Sequence, residues 1–324
     1  MNNQPTYQKQ RPSHIEDDFL ELIFEVVPEY SGWRADRFVA QKIPRLSRTR
    51  VQRILKRYAF DEAGRQVKPN RILRAGEKIT VYKQPPDEPD TPREFGVLYE
   101  DDYLLAVDKP PGLPVHPTAR YLKNTLTALL EERYGKNRPV LTHRLDSETS
   151  GVLLCAKGID VERKTKRLFA QRKVKKTYLA VVEGIVTPAA GQIELPLSFN
   201  PHSVIRVKMW CGDPQGRPAL TEYETIKNTN QKTLLRLKPR TGRQHQLRAH
   251  LSHIGFPIVG DKMYGPDENL FLEYIESGMT PELLTRAGHH RQALHAAVLE
   301  IEHPITSVPL RIECPLPNDI NNLL

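Results

Sequence analysis

The stretch Thr142-His143-Arg144-Leu145-Asp146-Ser147-Glu148-Thr149-Ser150-Gly151 is the most informative part of this 324-residue chain. It places one carboxylate, Asp146, among cationic and small hydroxyl side chains, directly before an apolar run typical of a buried strand, Val152-Leu153-Leu154. A carboxylate beside cations stays ionised and can act as a nucleophile. A structural Arg–Asp pair at the end of a strand would give the same short R-x-D pattern, so the rest of the chain must distinguish the two.

Composition favours a globular protein that associates with a polyanion. Lysine and arginine total 48 against 39 acidic residues, which leaves a formal charge of +9. No apolar run is long enough to span a membrane, and the polar N-terminus lacks the apolar core of a signal peptide. The 3 cysteines lie far apart and form no disulfide framework or CxxC zinc pattern. These features predict a soluble cytoplasmic protein.

The N-terminal region predicts a small basic α/β module. We expect residues 1–17 to be a flexible tail and residues 18–83 to form the module, with strands near Phe24–Val27 and Lys78–Tyr82. Two helices are predicted between them, the first over Arg34–Lys42 and the second starting at Ser47 as N-cap. A solvated face is the usual explanation of a charge run. Here the density of cations without an acid favours nucleic-acid contact, through Arg48, Arg50, Arg53, Lys56 and Arg57.

A proline-rich linker over residues 84–95 is predicted to separate this module from a larger domain over residues 96–324. Strand patterns in the larger domain outnumber helical ones, and many are sequential. We therefore predict an α+β fold with a mixed, largely antiparallel sheet and flanking helices. The predicted strands lie within Gly96–Lys109, Val152–Ala156, Thr177–Glu183, Leu234–Pro239 and Leu310–Glu313, and the helices within Thr125–Tyr134, Glu162–Gln171 and Gln246–His253.

The string around Asp146 resembles the motif H-R-L-D-x-x-T-S-G of the RluA family of RNA pseudouridine synthases, in which the aspartate is catalytic. Further strings resemble family segments in the same order along the chain. Lys109–Pro117 resembles K-P-x-G-x-x-V-H-P, and Lys173–Gly184 resembles K-x-Y-x-A-x-V-x-G. Lys238–Leu251 resembles T-G-R-x-H-Q-I/L-R-x-H, with Gln244 where Thr or Ser is common. Phe256–Gly265 resembles H-P-I/L-x-G-D-x-x-Y-G, with Phe256 in place of the histidine.

This resemblance implies catalytic roles for three residues. Asp146 would be the nucleophile, at either C1′ of the ribose or C6 of the base. Tyr178 would stack on the uracil, and Arg248 would pair with Asp146. The resemblance also implies a substrate-binding group, which comprises His143, Arg144, Thr149, Arg243, His245, Ile258 and Lys176.

The reaction needs no redox step, so we expect no cofactor. We also expect no metal, because the histidines around Gln246–His253 lack acidic or cysteine partners. The N-terminal module resembles an S-four-like RNA-binding module, although the turn that usually carries V-N-G is here Phe60-Asp61-Glu62-Ala63-Gly64. Residues 266–292 do not follow the family pattern and predict a helical insert at the rim of the cleft. We interpret His289 and His290, at its end, as surface or packing residues.

Several alternatives stay open at this point. The RNA is predicted to be structured ribosomal RNA, but transfer RNA would suit the same family. A non-catalytic RNA-binding or ribosome assembly factor would explain the basic module alone, without the catalytic strings. A hydrolase using His143, Asp146 and Ser150 is a further possibility, although Ser150 lacks a G-x-S-x-G context. We expect a monomer without membrane attachment.

Overall fold

The computed structural model describes residues 11–17, 19–43, 48–84, 88–118 and 120–324. The chain divides into two compact units, Met1–Glu88 and Pro89–Leu324.

The first unit is a three-stranded antiparallel sheet with two helices. The strands are β1 (Leu20–Glu25), β2 (Ala59–Asp61) and β3 (Lys78–Lys83), in the spatial order β1-β3-β2. The helices are α1 (Ala35–Lys42) and α2 (Arg48–Tyr58). Val51 and Leu55 of α2 are fully buried against Phe38 and Val39 of α1 and Val81 of β3, so this unit has its own apolar core.

The opposite face of α2 is basic, as the sequence predicted. Its exposed cations are Arg50, Arg53, Lys56 and Arg57. Ser47, the predicted N-cap, and the side chain of Arg48 lie outside the described part of the chain.

The second unit is built on one large sheet, to which the described residues contribute 10 strands. The main path runs β4-β5-β7-β14-β8-β13-β12-β9, with β15 on β14 and β6 on β7. The bounds are β4 (Gly96–Glu100), β5 (Leu104–Lys109), β6 (Val140–Leu141), β7 (Ser150–Ala156), β8 (Lys175–Glu183), β9 (Ala190–Glu194), β12 (Leu220–Asn228), β13 (Lys232–Pro239), β14 (Leu294–Glu302) and β15 (Pro309–Glu313). A separate hairpin consists of β10 (Ser198–Phe199) and β11 (Met209–Trp210).

The predicted mixed, largely antiparallel sheet is confirmed. Within the described residues the pairing of β7 with β14 is the parallel one, and the other named pairs are antiparallel. Strands β9 and β12 were not predicted as strands, because many of their side chains are polar or only partly buried and their apolar alternation is weak. Strand β14 was also not predicted, although most of its side chains are buried.

The helices of this unit flank the sheet. They are α3 (Leu126–Tyr134), α4 (Ile159–Ala170), α5 (Gln246–His253), α6 (Asn269–Ser277), α7 (Pro281–Ala287) and α8 (Asn318–Asn321). The predicted insert contains α6 and α7, which are anchored by the buried side chains of Leu270 and Leu283. None of the described helices is long and apolar enough to cross a membrane.

Two segments predicted to be unstructured are partly packed. Within the predicted tail, Ile15 is only 4% exposed and contacts Phe60 and Tyr82, so this part of the segment is packed. Within the predicted linker, Arg93 donates two hydrogen bonds to the Glu132 carboxylate of α3, and Phe95 packs against the core of the second unit. A single apolar side chain anchors each segment, Ile15 in the first and Phe95 in the second. The average composition of a segment does not reveal one such residue.

Candidate active site

Asp146 lies in the loop between β6 and β7, at a cavity of about 590 Å³. Its side chain is 23% exposed, so the carboxylate is reachable from the cavity without being fully solvated. The Nη1 of Arg248 donates a hydrogen bond of 2.8 Å to its Oδ2. The pairing predicted between these two residues is therefore present.

Arg248 is held from behind by a second carboxylate. Its Nε and Nη2 donate hydrogen bonds of 2.6 and 2.9 Å to the two oxygens of Asp261, whose side chain is fully buried. Asp261 also accepts the backbone N–H groups of Met263 and Tyr264. One guanidinium therefore bridges two carboxylates, and the bidentate pair leaves Nη1 directed to Asp146.

The surrounding charges keep Asp146 ionised. Burial alone would raise its pKa, but the positive charge of Arg248, with smaller contributions from His245 and Arg144, lowers the pKa to about 2. Burial would likewise lower the pKa of Arg248, and the two carboxylates instead raise it well above its usual value. The site therefore holds a charged aspartate at neutral pH.

His245 is the nearest histidine to this carboxylate. It is the N-cap of α5 and adopts a left-handed conformation, with φ 52° and ψ 19°. Its Nδ1 lies 3.0 Å from the hydroxyl of Tyr264, and its Nε2 lies 3.9 Å from Oδ1 of Asp146. Burial lowers the pKa of His245 to about 4, so the ring is neutral at pH 7.

Tyr178 forms part of the cavity wall from strand β8. Its side chain is buried, and burial together with the charge of Asp146 raises its pKa well above the usual value, so its hydroxyl is protonated at neutral pH. Lys176 lies two residues before Tyr178 in β8 and also lines the cavity, and burial lowers the pKa of Lys176. An aromatic ring, an ionised carboxylate and a lysine thus share one cavity.

Known proteins resemble this chain over most of its length. Residues 103–253 match the family model for RNA pseudouridylate synthase. Ribosomal large subunit pseudouridine synthase D of Pseudomonas aeruginosa is 34% identical over 95% of this chain and 96% of its own length. The Xanthomonas campestris protein of the same name is 35% identical over 92% of this chain and 90% of its own. Among solved structures, human RNA pseudouridylate synthase domain containing 1 shares 26% identity, with a TM-score of 0.56, over 70% of this chain and 86% of its own.

This chain belongs to the RluA family of RNA pseudouridine synthases. The predicted family and the predicted enzyme class are therefore confirmed.

Several of the residues predicted to bind substrate line the cavity of this family member. Arg144 is exposed at its edge, and Arg243 lines it while its Nε donates to the carbonyl oxygen of Pro218. His143 and Thr149 also line it, but the side chains of both form hydrogen bonds with other residues of the protein. The Nε2 of His143 accepts the backbone N–H of Leu154. Burial lowers the pKa of His143 to about 3, which keeps that ring neutral.

Thr149 is nearly buried where it lines the cavity, and Ile258 lies outside the residues that line it. The hydroxyl of Thr149 is 2.7 Å from Nε2 of Gln292, and the residue is 2% exposed. Ile258, predicted as an apolar wall, is instead a core residue that bridges to Val182 and is not among the residues that line the cavity. The apolar part of the described cavity wall includes Leu145, Phe169, Val174, Leu247 and Leu294.

The loop that carries Asp146 is anchored by residues that sequence reasoning did not assign. Lys109 is fully buried and donates to the carbonyl oxygens of Pro110, Leu113 and Ser147, at 2.7, 2.9 and 2.8 Å. Three carbonyl acceptors match the three donors of an ammonium group, although burial lowers the pKa of Lys109 to about 7. The only indication of this contact in the sequence was that a lysine, Lys109, begins the K-P-P-G string.

A second anchor reaches the same loop from the segment before β14. Arg291 donates to the carbonyl oxygen of Glu148, and the backbone N–H of Gln292 donates to the Glu148 carboxylate. Lys262 pairs with the same carboxylate at 2.7 Å. No sequence pattern connects Arg291 or Gln292 with residues so far away along the chain, and the contacts arise because β14 lies beside β7.

The structure does not show the contact between Ser150 and His143 that the hydrolase interpretation requires. His143 uses Nε2 as an acceptor for Leu154, and Ser150 is 3% exposed with its Oγ 2.9 Å from Nδ1 of His295. The Nε2 of His295 lies 3.1 Å from the carbonyl oxygen of Cys314, so Nε2 donates and Nδ1 accepts from Ser150. The proposed serine therefore pairs with a different, buried histidine and does not meet His143.

Proposed function

We propose that this chain converts specific uridines of large-subunit ribosomal RNA to pseudouridine, with Asp146 as the attacking group. The ionised, partly exposed Asp146 at the cavity is the observation that carries the proposal. The ribosomal substrate is supported by the names of the two relatives, which both refer to the large ribosomal subunit.

Asp146 would attack at C1′ of the ribose or at C6 of the base. The C1′–N1 bond breaks, the base rotates in the cavity, and a C5–C1′ bond forms. The bond to Asp146 breaks before the product leaves, which regenerates the carboxylate. The hydrogen at C5 leaves as a proton, and a proton returns to N1. Atoms and electrons balance without a redox partner, so the reaction is an isomerisation.

Tyr178 would stack on the base while it turns. The charge of Asp146 contributes to the raised pKa of Tyr178, after the larger effect of burial. Formation of a covalent bond at Asp146 would neutralise the carboxylate and remove that contribution. The tyrosine hydroxyl would then become a better proton donor in the intermediate than in the free enzyme.

The target uridine would be extruded from its helix to enter the cavity. Extrusion costs on the order of a few kcal/mol, which stacking and phosphate contacts offset. Cations around the cavity suit that task, since they can contact the phosphates on either side of the extruded nucleotide. They are Arg144, Arg172, Lys176, Arg240 and Arg243.

The first unit would act as an S-four-like RNA-binding module. Its support is the exposed basic face of α2, which lies opposite the side chains that α2 buries. This unit would supply affinity for RNA through phosphate contacts, whereas the chemistry takes place in the second unit.

The substitution Asp146→Asn tests the catalytic assignment. It removes the charge with almost no change of shape, and Arg248 keeps its bidentate pair with Asp261. We therefore expect a melting temperature and an RNA affinity near those of the parent. Pseudouridine formation should fall by several orders of magnitude, because a covalent catalyst is lost. Tritium release from RNA labelled at C5 of uridine measures the reaction directly, since closure of the C5–C1′ bond expels that hydrogen.

Glu148→Gln is the matched control, because Glu148 lies in the same loop and pairs with buried Lys262. This variant should melt at a lower temperature and should still release tritium below its melting point. Near-parental release from Asp146→Asn would refute the assignment. Mapping the modified uridines by carbodiimide primer extension, with and without the gene, distinguishes a ribosomal from a transfer RNA substrate.

A further inference from the structure

Three side chains with metal-ligand atoms meet at the end of the predicted insert, and none of them is among the residues that line the catalytic cavity. They are His289 and His290, which follow α7, and Asp319 of α8. The Nε2 atoms of the two histidines lie 3.4 and 3.5 Å from the same carboxylate oxygen, Oδ2 of Asp319. The ligand atoms of the three residues all lie within 4.8 Å of one another.

These separations are the ones that a shared tetrahedral ion requires. Zinc binds histidine nitrogen and carboxylate oxygen at about 2.0–2.2 Å, and two ligands of a tetrahedron with a radius of about 2.1 Å are about 3.4 Å apart. We propose that His289, His290 and Asp319 form a binding site for a divalent transition-metal ion of the zinc class. This proposal does not depend on the assigned catalytic roles.

His289 is the strongest indication of a ligand at this position. Its residue is 9% exposed, and its buried Nε2 makes no well-formed hydrogen bond among the described residues, with Oδ2 of Asp319 at an ion-pair distance of 3.4 Å. Leaving such a nitrogen unpaired costs free energy, whereas a metal ion would satisfy it. His290 has a side chain that is 52% exposed, so water can reach a fourth position on the ion.

Arg291 is the feature that opposes metal binding. It donates hydrogen bonds of 2.6 and 3.0 Å to both oxygens of Asp319, and its charge repels a cation. A carboxylate oxygen has two lone pairs, so Oδ2 can accept the Nε–H of Arg291 and still bind an ion. The guanidinium should therefore weaken the site without blocking it. Since Arg291 also donates to the carbonyl oxygen of Glu148, an ion here would stiffen the network behind the Asp146 loop.

The test uses the full chain without a histidine tag, stripped of metal by a chelator. Cobalt(II) should bind with the visible d–d absorption of a tetrahedral nitrogen and oxygen site, and zinc should displace it. Zinc should also raise the melting temperature, because it binds the folded protein preferentially.

His290→Ala removes the exposed ligand and should leave the metal-free melting temperature unchanged. It should weaken zinc binding by more than the roughly 10–100-fold cost of losing a mere supporting hydrogen bond to a ligand. His253→Ala is the matched control, since His253 is an exposed histidine outside this cluster, and it should bind zinc as the parent does. A parent that shows no tetrahedral cobalt spectrum, or equal zinc affinity for the parent and His290→Ala, would overturn the proposal.

Discussion

Arg248 connects the reactive carboxylate to a fully buried one, and this arrangement explains how the site tolerates a charge at a cavity. Asp261 binds Nε and Nη2 in a bidentate pair, so Arg248 has little freedom left when it meets Asp146. A buried ion pair of this kind contributes little net stability against an apolar replacement. Its value here is geometric, because it fixes the direction of Nη1.

Asp261→Asn should therefore affect both stability and catalysis. Removing one partner of a buried pair leaves an under-compensated cation, which costs about 3–5 kcal/mol of unfolding free energy. Below its melting point the variant should also lose single-turnover rate, because Arg248 no longer holds Asp146 in one position. The matched control is Glu222→Gln, which breaks the partly exposed Arg240–Glu222 pair and should cost no more than about 1 kcal/mol. Equal losses in the two variants would contradict a special role for Asp261.

At the level of elements, the approach of β7 to β14 positions the catalytic loop. The two strands run parallel, with Ser150 opposite His295 and Gly151 opposite Ala296. Gly151 has φ 105°, and a Cβ atom at this position would lie 2.2 Å from the carbonyl oxygen of Ala296. Only glycine permits this close approach, and β7 begins directly after the loop that carries Asp146.

Gly151→Ala should thus cost far more than an ordinary glycine substitution. Gly158 is the matched control, since it has φ 87° and a Cβ atom there would have no neighbour within 4 Å. Gly158 has ψ 154°, a combination that residues other than glycine rarely adopt, so Gly158→Ala should lose about 1–3 kcal/mol from the backbone conformation alone. Gly151→Ala should lose that amount plus the cost of separating two strands, and tritium release should fall with it. Thermal melts of equal midpoint for the two variants would show that β7 and β14 can move apart freely.

On the scale of the whole molecule, the two units have separate apolar cores. The core of the first unit includes Phe38, Val51 and Leu55, and the core of the second includes Leu105, Leu153 and Val181. A division of labour between affinity and chemistry is consistent with this organisation. It predicts that the first unit changes how RNA binding depends on salt.

Deleting residues 1–88 should weaken RNA binding and make its salt dependence shallower. For every phosphate that the shortened protein no longer neutralises, the slope of log K against log salt should fall by about 0.7 to 0.9. Single-turnover conversion at saturating enzyme should change much less. The full chain with Arg53, Lys56 and Arg57 changed to glutamine is the matched variant, and it should reproduce most of the change in slope. An unchanged slope in both proteins would exclude this role for α2.

The sequence by itself determined the family and the mixed sheet, and the resemblance to the family implied the pairing of Arg248 with Asp146. These features depend on strings of neighbouring residues or on the periodic spacing of apolar side chains, which a linear chain shows directly. It also predicted the amphipathic α2, because helical periodicity places its cations on one face.

Only the tertiary structure revealed Asp261 behind Arg248, Lys109 under the loop, and Arg291 and Gln292 against Glu148 and Thr149. It also places Ile258, predicted as a wall of the cavity, in the core. These contacts depend on which strands become neighbours in the sheet. Pairing β14 with β7 joins segments far apart in the chain, and neither segment carries a local pattern that specifies its partner. The physical reason is that side-chain burial and strand register are settled by the packing of the whole sheet, whereas local spacing specifies only the type of element.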